Sequence, residues 1–335
     1  MKFLFELSKE HKTIPTAEII ACLKSEDIKY SIFESTDDVF IIKTQAENKK
    51  LKKITNRLSY TYYIDRFLFS CRPSSNEIKK HPIKNKIETN GSIAVRCKNR
   101  SKKIESQQII KSLAEIYTAD RKVELDSPDI EIRSIISDSK VYVGQKIFKL
   151  NRKQFEERKV QFRPFFSPIS LHPKIARVMV NLSSIKNNGI LLDPFCGTGG
   201  ILIEAGIIGI KIIGSDIEQK MIDGCKKNLE YYNIKNYQLY NLDIGDIGKK
   251  INKVDAIVTD MPYGKSTTTK GENITILYER AFKNISNLLK ENGKAVIGLS
   301  NKDFITIGEK FLSIVEKHEF RAHRSLTRHF IVYQK

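Results

Sequence analysis

The sequence predicts an α/β protein: a doubly wound, mostly parallel sheet in the carboxyl-terminal half, preceded by a smaller α+β region. Two observations carry this expectation. From residue 186 onward, apolar runs of strand length alternate with amphipathic stretches of helix length, the rhythm of a parallel sheet with crossover helices. The first of these runs, Ile190-Leu191-Leu192-Asp193, leads into Pro194-Phe195-Cys196-Gly197-Thr198-Gly199-Gly200, where residues without bulk let a strand turn into a helix close to a ligand.

At 335 residues the chain has room for two or three domains, each with its own core. Apolar content of 40% and charged content of 29% are those of a globular protein. There is no apolar run of about 18 residues and no leader-like amino terminus, so no membrane span and a cytoplasmic location are expected. Lysine and arginine number 58 against 39 acidic residues, a formal charge of +19. A field of that sign concentrates polyphosphates and points to a nucleic-acid partner. The five cysteines are scattered without a C-x-x-C pair and the six histidines are dispersed, so neither a disulfide framework nor a metal site is expected.

Taken in order, Phe3–Leu7 reads as a strand and Thr16–Lys24 as an amphipathic helix capped by Thr16. Val39–Ile42 and Ile64–Phe69 read as further strands, making residues 1–75 a small ferredoxin-like unit. A second segment, 76–148, opens with a basic loop (Lys79, Lys80, His81, Lys84, Lys86) and a strand over 92–98. That strand carries Arg96 and Lys98 and runs into Arg100, Lys102 and Lys103, the candidates for phosphate contact. A helix through Ile109, Leu113 and Ile116 follows, then Val123-Glu124-Leu125-Asp126-Ser127-Pro128-Asp129 and a strand. Residues 149–172 read as a linker that becomes a lid: Phe162-Arg163-Pro164-Phe165-Phe166-Ser167-Pro168 is aromatic and broken by proline. Arg163, Arg324 and Arg328 are further cations with the reach to bind phosphate.

Pro173 opens a helix to about Ser184, the start of a domain over 173–335. Strands are expected at 189–193, 211–216, 237–242, 254–259 and 294–300, and helices at 199–208, 218–231, 274–291 and 303–318. Residues Arg321 to Tyr333 read as two short strands around Ser325-Leu326-Thr327.

The glycine turn and its acids select a ligand. A dinucleotide fingerprint would need a third glycine at position 202, which is Leu202, and Asp193 would repel a pyrophosphate. A ligand with an ammonium group and no phosphate suits that carboxylate, and S-adenosylmethionine is such a ligand. Asp216, nineteen positions after Gly197 and followed by Ile217, ends the next strand where a carboxylate can accept both ribose hydroxyls. Asp243 is placed to take the adenine amino group, with Ile244 packed on the ring; Phe195 and Thr198 line the methionine arm, and Gly197 and Gly199 of the turn bind the cofactor with their backbone.

The fourth strand ends in Asp260-Met261-Pro262-Tyr263-Gly264, which resembles the D/N-P-P-Y motif of methyltransferases that act on exocyclic amino nitrogens. The lone pair of such a nitrogen is delocalised into the ring. It becomes a nucleophile when two acceptors grip its N–H groups, here Asp260 and a main-chain carbonyl, that of Met261, with Asp260 taking the released proton. Pro262 stiffens the turn, and Tyr263 offers a face on which an extruded base can stack. Met261 replaces the first proline of the motif.

Residues 123–126 with Pro128-Asp129 resemble the V-D-L-x-x-P turn of the THUMP domain, an RNA-binding module, with Glu124 where aspartate is commoner. This resemblance covers about 150 residues. Together with Arg163-Pro164-Phe165, the glycine turn and the Asp260 motif, the chain resembles the archaeal THUMP-containing tRNA guanine-N2 methyltransferases of the guanosine-10 type. The resemblance implies a Rossmann-like class I methyltransferase domain over 173–335 and a THUMP domain over 76–148. It also implies S-adenosylmethionine as cofactor, tRNA as partner, and transfer of one or two methyl groups to guanine N2. A small activator protein accompanies some relatives. The neighbouring readings are a sister enzyme acting on guanosine 6 or on ribosomal RNA, an amino methyltransferase of DNA, and a non-catalytic RNA-binding subunit.

Overall fold

The structure, a computed structural model, describes residues 1–81, 87, 90–167, 170–263, 272–323 and 326–335. Lys84, Lys86, Pro168, Gly264, Arg324 and Ser325 lie outside them. The chain forms two compact units. One is built from Met1–Thr16, Ile28–Thr55 and Tyr60–Asn151, and the other from Ala17–Asp27, Asn56–Ser59 and Arg152–Lys335.

The first unit contains β1 (Lys2–Leu7), the first residues of α1 (Ile14–Ser25), β2 (Tyr30–Ser35), β3 (Val39–Thr44), α2 (Asn48–Thr55), β4 (Thr61–Cys71), α3 (Ser75–Lys79), β5 (Ile93–Asn99), α4 (Gln107–Thr118), β6 (Ile130–Ile136) and β7 (Val141–Lys149). Among the described residues its seven strands make one sheet in the order β2-β3-β1-β4-β7-β6-β5. Val39 to Ile42 are all buried, a continuous apolar run that belongs on an interior strand. β7, whose first half is apolar, pairs antiparallel with both β4 and β6. Segments 1–75 and 76–148 therefore contribute to a single sheet.

The second unit carries most of α1, then α5 (Lys153–Glu157), α6 (Pro173–Leu182), β8 (Ile190–Asp193), α7 (Gly200–Ile207), β9 (Lys211–Asp216), α8 (Gln219–Tyr231), β10 (Tyr237–Asn241), β11 (Val254–Asp260), α9 (Ile274–Leu288), β12 (Leu289–Leu299), α10 (Ile305–Glu309), β13 (Ser313–His323) and β14 (Leu326–Gln334). Strand order is β10-β9-β8-β11-β12-β14-β13. The first five are parallel, and β14 runs antiparallel between β12 and β13. Order reverses between β8 and β11, so their carboxyl ends splay apart and leave the crevice where ligands of such sheets bind. Among the described residues no helix is long and apolar enough to cross a membrane.

The helix expected over 303–318 stops at Glu309, and Ser313–His323 is strand. Tyr333 packs on Gly308, where a Cβ would lie 2.6 Å from its hydroxyl. Beyond it Ile314 to Phe320 pair along β14. Cross-strand pairing outweighs a local pattern that fits either period.

Candidate active site

A cavity of about 610 Å³ opens at the carboxyl ends of β8, β9 and β11. The glycine turn forms one wall. Gly197 has φ 48° and a Cβ built on it would meet nothing within 4 Å, so its bare backbone faces open space. Gly199, at φ 81°, serves packing instead: a Cβ there would sit 2.6 Å from Cys225 Sγ on α8. The Gly197 amide donates to Asp216 Oδ2 at 2.9 Å, and the Glu218 amide donates to Asp216 Oδ1 at 3.0 Å. Two backbone donors thus fix that carboxylate at the cavity's edge.

Asp193 is buried at the end of β8. Its Oδ1 accepts from Thr259 Oγ1 at 2.7 Å and from the Phe195 amide at 3.2 Å. Burial nevertheless pushes the carboxyl up to about 7. A buried carboxylate held by a hydroxyl and an amide, opening into a cavity beside a bare glycine backbone, fits the ammonium end of S-adenosylmethionine.

Asp260 lines the same cavity from the end of β11. Tyr263 Oη donates to its Oδ1 at 2.5 Å, and Arg328 Nη2 stands 3.5 Å from its Oδ2. Arg328 Nε donates to Tyr263 Oη at 2.8 Å. Below the carboxylate, Gly298 of β12 leaves space that any Cβ would take from Asp260 Oδ1. Met261 is buried with its amide donating to the Gly298 carbonyl at 2.9 Å, while the Pro262 carbonyl accepts from Tyr278 Oη at 2.9 Å. Burial raises Asp260 above the usual carboxylate range; Arg328 and the Tyr263 hydrogen bond pull the other way.

Phe195, Gly197, Thr198, Asp216, Ile217, Asp243, Met261, Pro262 and Tyr263 all face the cavity, together with Ser167, Ser170 and Leu171 from the lid stretch. Ser170 and Thr198 hydroxyls are hydrogen-bonded at 2.9 Å. Asp243 is gripped by Arg280 of α9, which also bonds Glu272 at 2.7 Å. Other expectations do not hold. Ile244 is not on the cavity wall but in the core under α9, because the turn after β10 sends consecutive side chains to opposite sides. Arg163 does not reach out to phosphate: it is buried against the start of α7, 3.3 Å from where a Gly200 Cβ would sit. Asn228 of α8 fastens the same stretch by bonding the Phe165 amide and carbonyl and the Thr198 carbonyl. Arg100 is spent inside the first unit on Glu6 at 2.8 Å and Asp38 at 3.3 Å. Arg328 belongs to Asp260 and Tyr263. Arg96, Lys98, Lys102 and Lys103 remain exposed. Gly298, Tyr278, Asn228 and Arg280 do not stand out in the sequence. Gly298, inside an apolar strand, carries the one usable signal, since such a glycine marks a close approach.

Fold and site together define an S-adenosylmethionine-dependent methyltransferase. Residues 161–329 match the family described as RMKL-like, methyltransferase domain, and a DNA methylase family matches 7–227, stopping before Asp260. The chain is 34% identical to the tRNA (guanine(10)-N2)-dimethyltransferase of Methanothermobacter thermautotrophicus, over 98% of both chains. It is 32% identical to the protein of that name from Methanocaldococcus jannaschii, over 99% of both. It belongs to the tRNA (guanine(10)-N2)-dimethyltransferase family. TrmN from Thermus thermophilus shares the fold, with a TM-score of 0.57 at 14% identity and full coverage of both chains.

Proposed function

We propose that this protein methylates the exocyclic N2 of guanosine 10 in tRNA, giving N2-methyl- and then N2,N2-dimethylguanosine. The observation that carries this reading is that the Asp260 carboxylate opens into the same cavity as Asp193 and the bare Gly197 backbone. S-adenosylmethionine supplies a methyl group already activated by its sulfonium, so the chain's own task is positioning. Asp193 holds the ammonium, Asp216 the ribose hydroxyls, and Asp243, kept in place by Arg280, the adenine edge. Tyr263 and Pro262 flank the extruded guanine. Asp260 and the Met261 carbonyl accept its two N–H groups, and Asp260 takes the proton that N2 sheds on methylation.

The amino-terminal unit is read as the tRNA-gripping part, residues 1–75 as ferredoxin-like and 76–148 as THUMP. Its exposed Arg96, Lys98, Lys102 and Lys103 supply phosphate contacts. Residues 149–172 form the linker and lid, and 173–335 the methyltransferase. The protein works in the cytoplasm with its tRNA.

Incubation of the purified chain with unmodified tRNA, followed by mass spectrometry of mapped fragments, should place one or two methyl groups on guanosine 10. The same assay with and without cell extract shows whether a small activator protein is needed. Asp260→Ala should abolish transfer while S-adenosylhomocysteine binding persists. Undiminished transfer in that variant would end the reading.

A further inference from the structure

We propose that Arg328, on the last antiparallel strand, is the positioning residue that aims the Asp260 carboxylate and holds it ionised for the amine's proton. This rests on the functional reading above. A phenol hydroxyl carries one proton and a guanidinium carries only donors. Arg328 Nε therefore takes a lone pair of Tyr263 Oη at 2.8 Å, and the hydroxyl proton must go to Asp260 Oδ1 at 2.5 Å. Oδ1 is boxed between that hydroxyl and the backbone of Gly298. Oδ2, with the guanidinium 3.5 Å away, is left as the oxygen that meets the guanine N–H.

Charge argues the same way. Among the described residues, the groups that face Asp260 are Tyr263 on its own turn, Arg328 on β14, Tyr278 on α9 and Asp193 on β8. Of these, Arg328 alone is cationic. Burial favours a neutral carboxyl at Asp260, which could neither grip an amine nor accept its proton. A nearby cation makes the carboxylate a weaker base, but that costs little here. The aminium formed on a ring-conjugated nitrogen is a strong acid, so the ionised fraction of Asp260 matters more than its basicity. Asp260 and Arg328 side chains are 18% and 10% exposed, screened enough for the pair to count and still open to the cavity.

The test compares pH profiles of kcat/KM on tRNA for the wild type, Arg328→Gln and Arg328→Lys, with S-adenosylhomocysteine binding by calorimetry as a check on folding. In Arg328→Gln the acid limb should move up by about one unit. At pH values below the wild-type midpoint, activity would then fall ~10-fold against the wild type and recover toward it at pH 9, with cofactor affinity unchanged. Arg328→Lys keeps the charge without the fork and should restore most of the limb. A loss equal at all pH values, or an unmoved limb in Arg328→Gln beside an active wild type, overturns the inference alone. A wild type that methylates no tRNA overturns the functional reading and the inference with it.

Discussion

Thr259 Oγ1 donates to Asp193 Oδ1 at 2.7 Å, so the residue immediately before Asp260 is bonded to the carboxylate that ends β8. The two strand ends on either side of the topological switch are thus tied by one buried hydrogen bond between the cofactor turn and the acceptor motif. Thr259→Val keeps the shape and removes the donor. A hydrogen bond to a charged group contributes about 1.5–3 kcal/mol. S-adenosylhomocysteine should therefore bind this variant ~10-fold more weakly at pH 7.5, measured by calorimetry. Equal affinity would mean the Thr259 bond does not support the ionised form.

The same carboxylate predicts a pH dependence of binding. Asp193 is pushed up to about 7 by burial, above the value of about 4 that it has in an unfolded chain. Between those values the folded state holds a proton the unfolded state has lost, so this group's contribution to stability falls as pH rises from about 4 to about 7. Affinity for a cationic ligand moves oppositely. It should rise from pH 5.5 to 7 as the carboxyl ionises, and weaken above about 8 as the ligand's own amine deprotonates. Calorimetry in buffers of different ionisation enthalpy should show proton release on binding at pH 6. Flat affinity across this range would contradict the pairing.

Gly298 makes the third test. A Cβ at this position would occupy the place of Asp260 Oδ1, so Gly298→Ala must displace the carboxylate. A displacement of about 1 Å at the reacting groups can cost ~100-fold. kcat should fall by that order while S-adenosylhomocysteine binds as before, because Asp193 and the glycine turn are untouched. A retained kcat would show that Asp260 has another productive position.

The parts legible in the sequence are those set by local rules. Ile190–Asp193, its glycine turn and α7 stand where apolar period and residue bulk place them, and Asp216 and Asp260 end their strands as expected. β7 gives a weaker signal because only Val141 to Val143 are apolar and buried, and its place between β4 and β6 is a long-range pairing. Charge misleads for a related reason. Nothing local distinguishes Arg100 or Arg163 from a solvated arginine; Arg100's partners lie 94 and 62 residues away. Arg328 likewise meets Tyr263 across 65 residues. Ile244 departs from expectation because one step along an irregular turn reverses a side chain's direction.

Asn228 shows how the lid stretch and the cofactor turn share one anchor. It is buried on α8, accepts from the Phe165 amide at 3.0 Å, and donates to the Phe165 carbonyl at 2.7 Å and the Thr198 carbonyl at 2.9 Å. Asn228→Ala leaves three backbone groups without this partner, at about 1–3 kcal/mol for each that water does not reach. Thermal unfolding should shift downward by several degrees, and S-adenosylhomocysteine should protect the variant less than the wild type. A variant with unchanged unfolding and unchanged protection would show that solvent replaces all three bonds.

The basic residues of the first unit divide into two classes with opposite expectations. Arg96, Lys98, Lys102 and Lys103 are exposed, so each of them that no longer neutralises a phosphate should lower the slope of log K against log salt by about 0.7–0.9. Replacing all four with alanine should weaken tRNA binding, flatten its salt dependence by up to ~3.6 and leave unfolding unchanged. Arg100 is 6% exposed and sits between Glu6 and Asp38, so Arg100→Ala leaves Glu6 to Arg133 and Asp38 to the half-exposed Lys9. Each lost hydrogen bond to a charged group costs about 1.5–3 kcal/mol. Arg100→Ala should therefore unfold at markedly lower temperature, while its folded fraction keeps the wild-type salt slope. A reduced slope with intact stability would return Arg100 to the tRNA surface and contradict its burial.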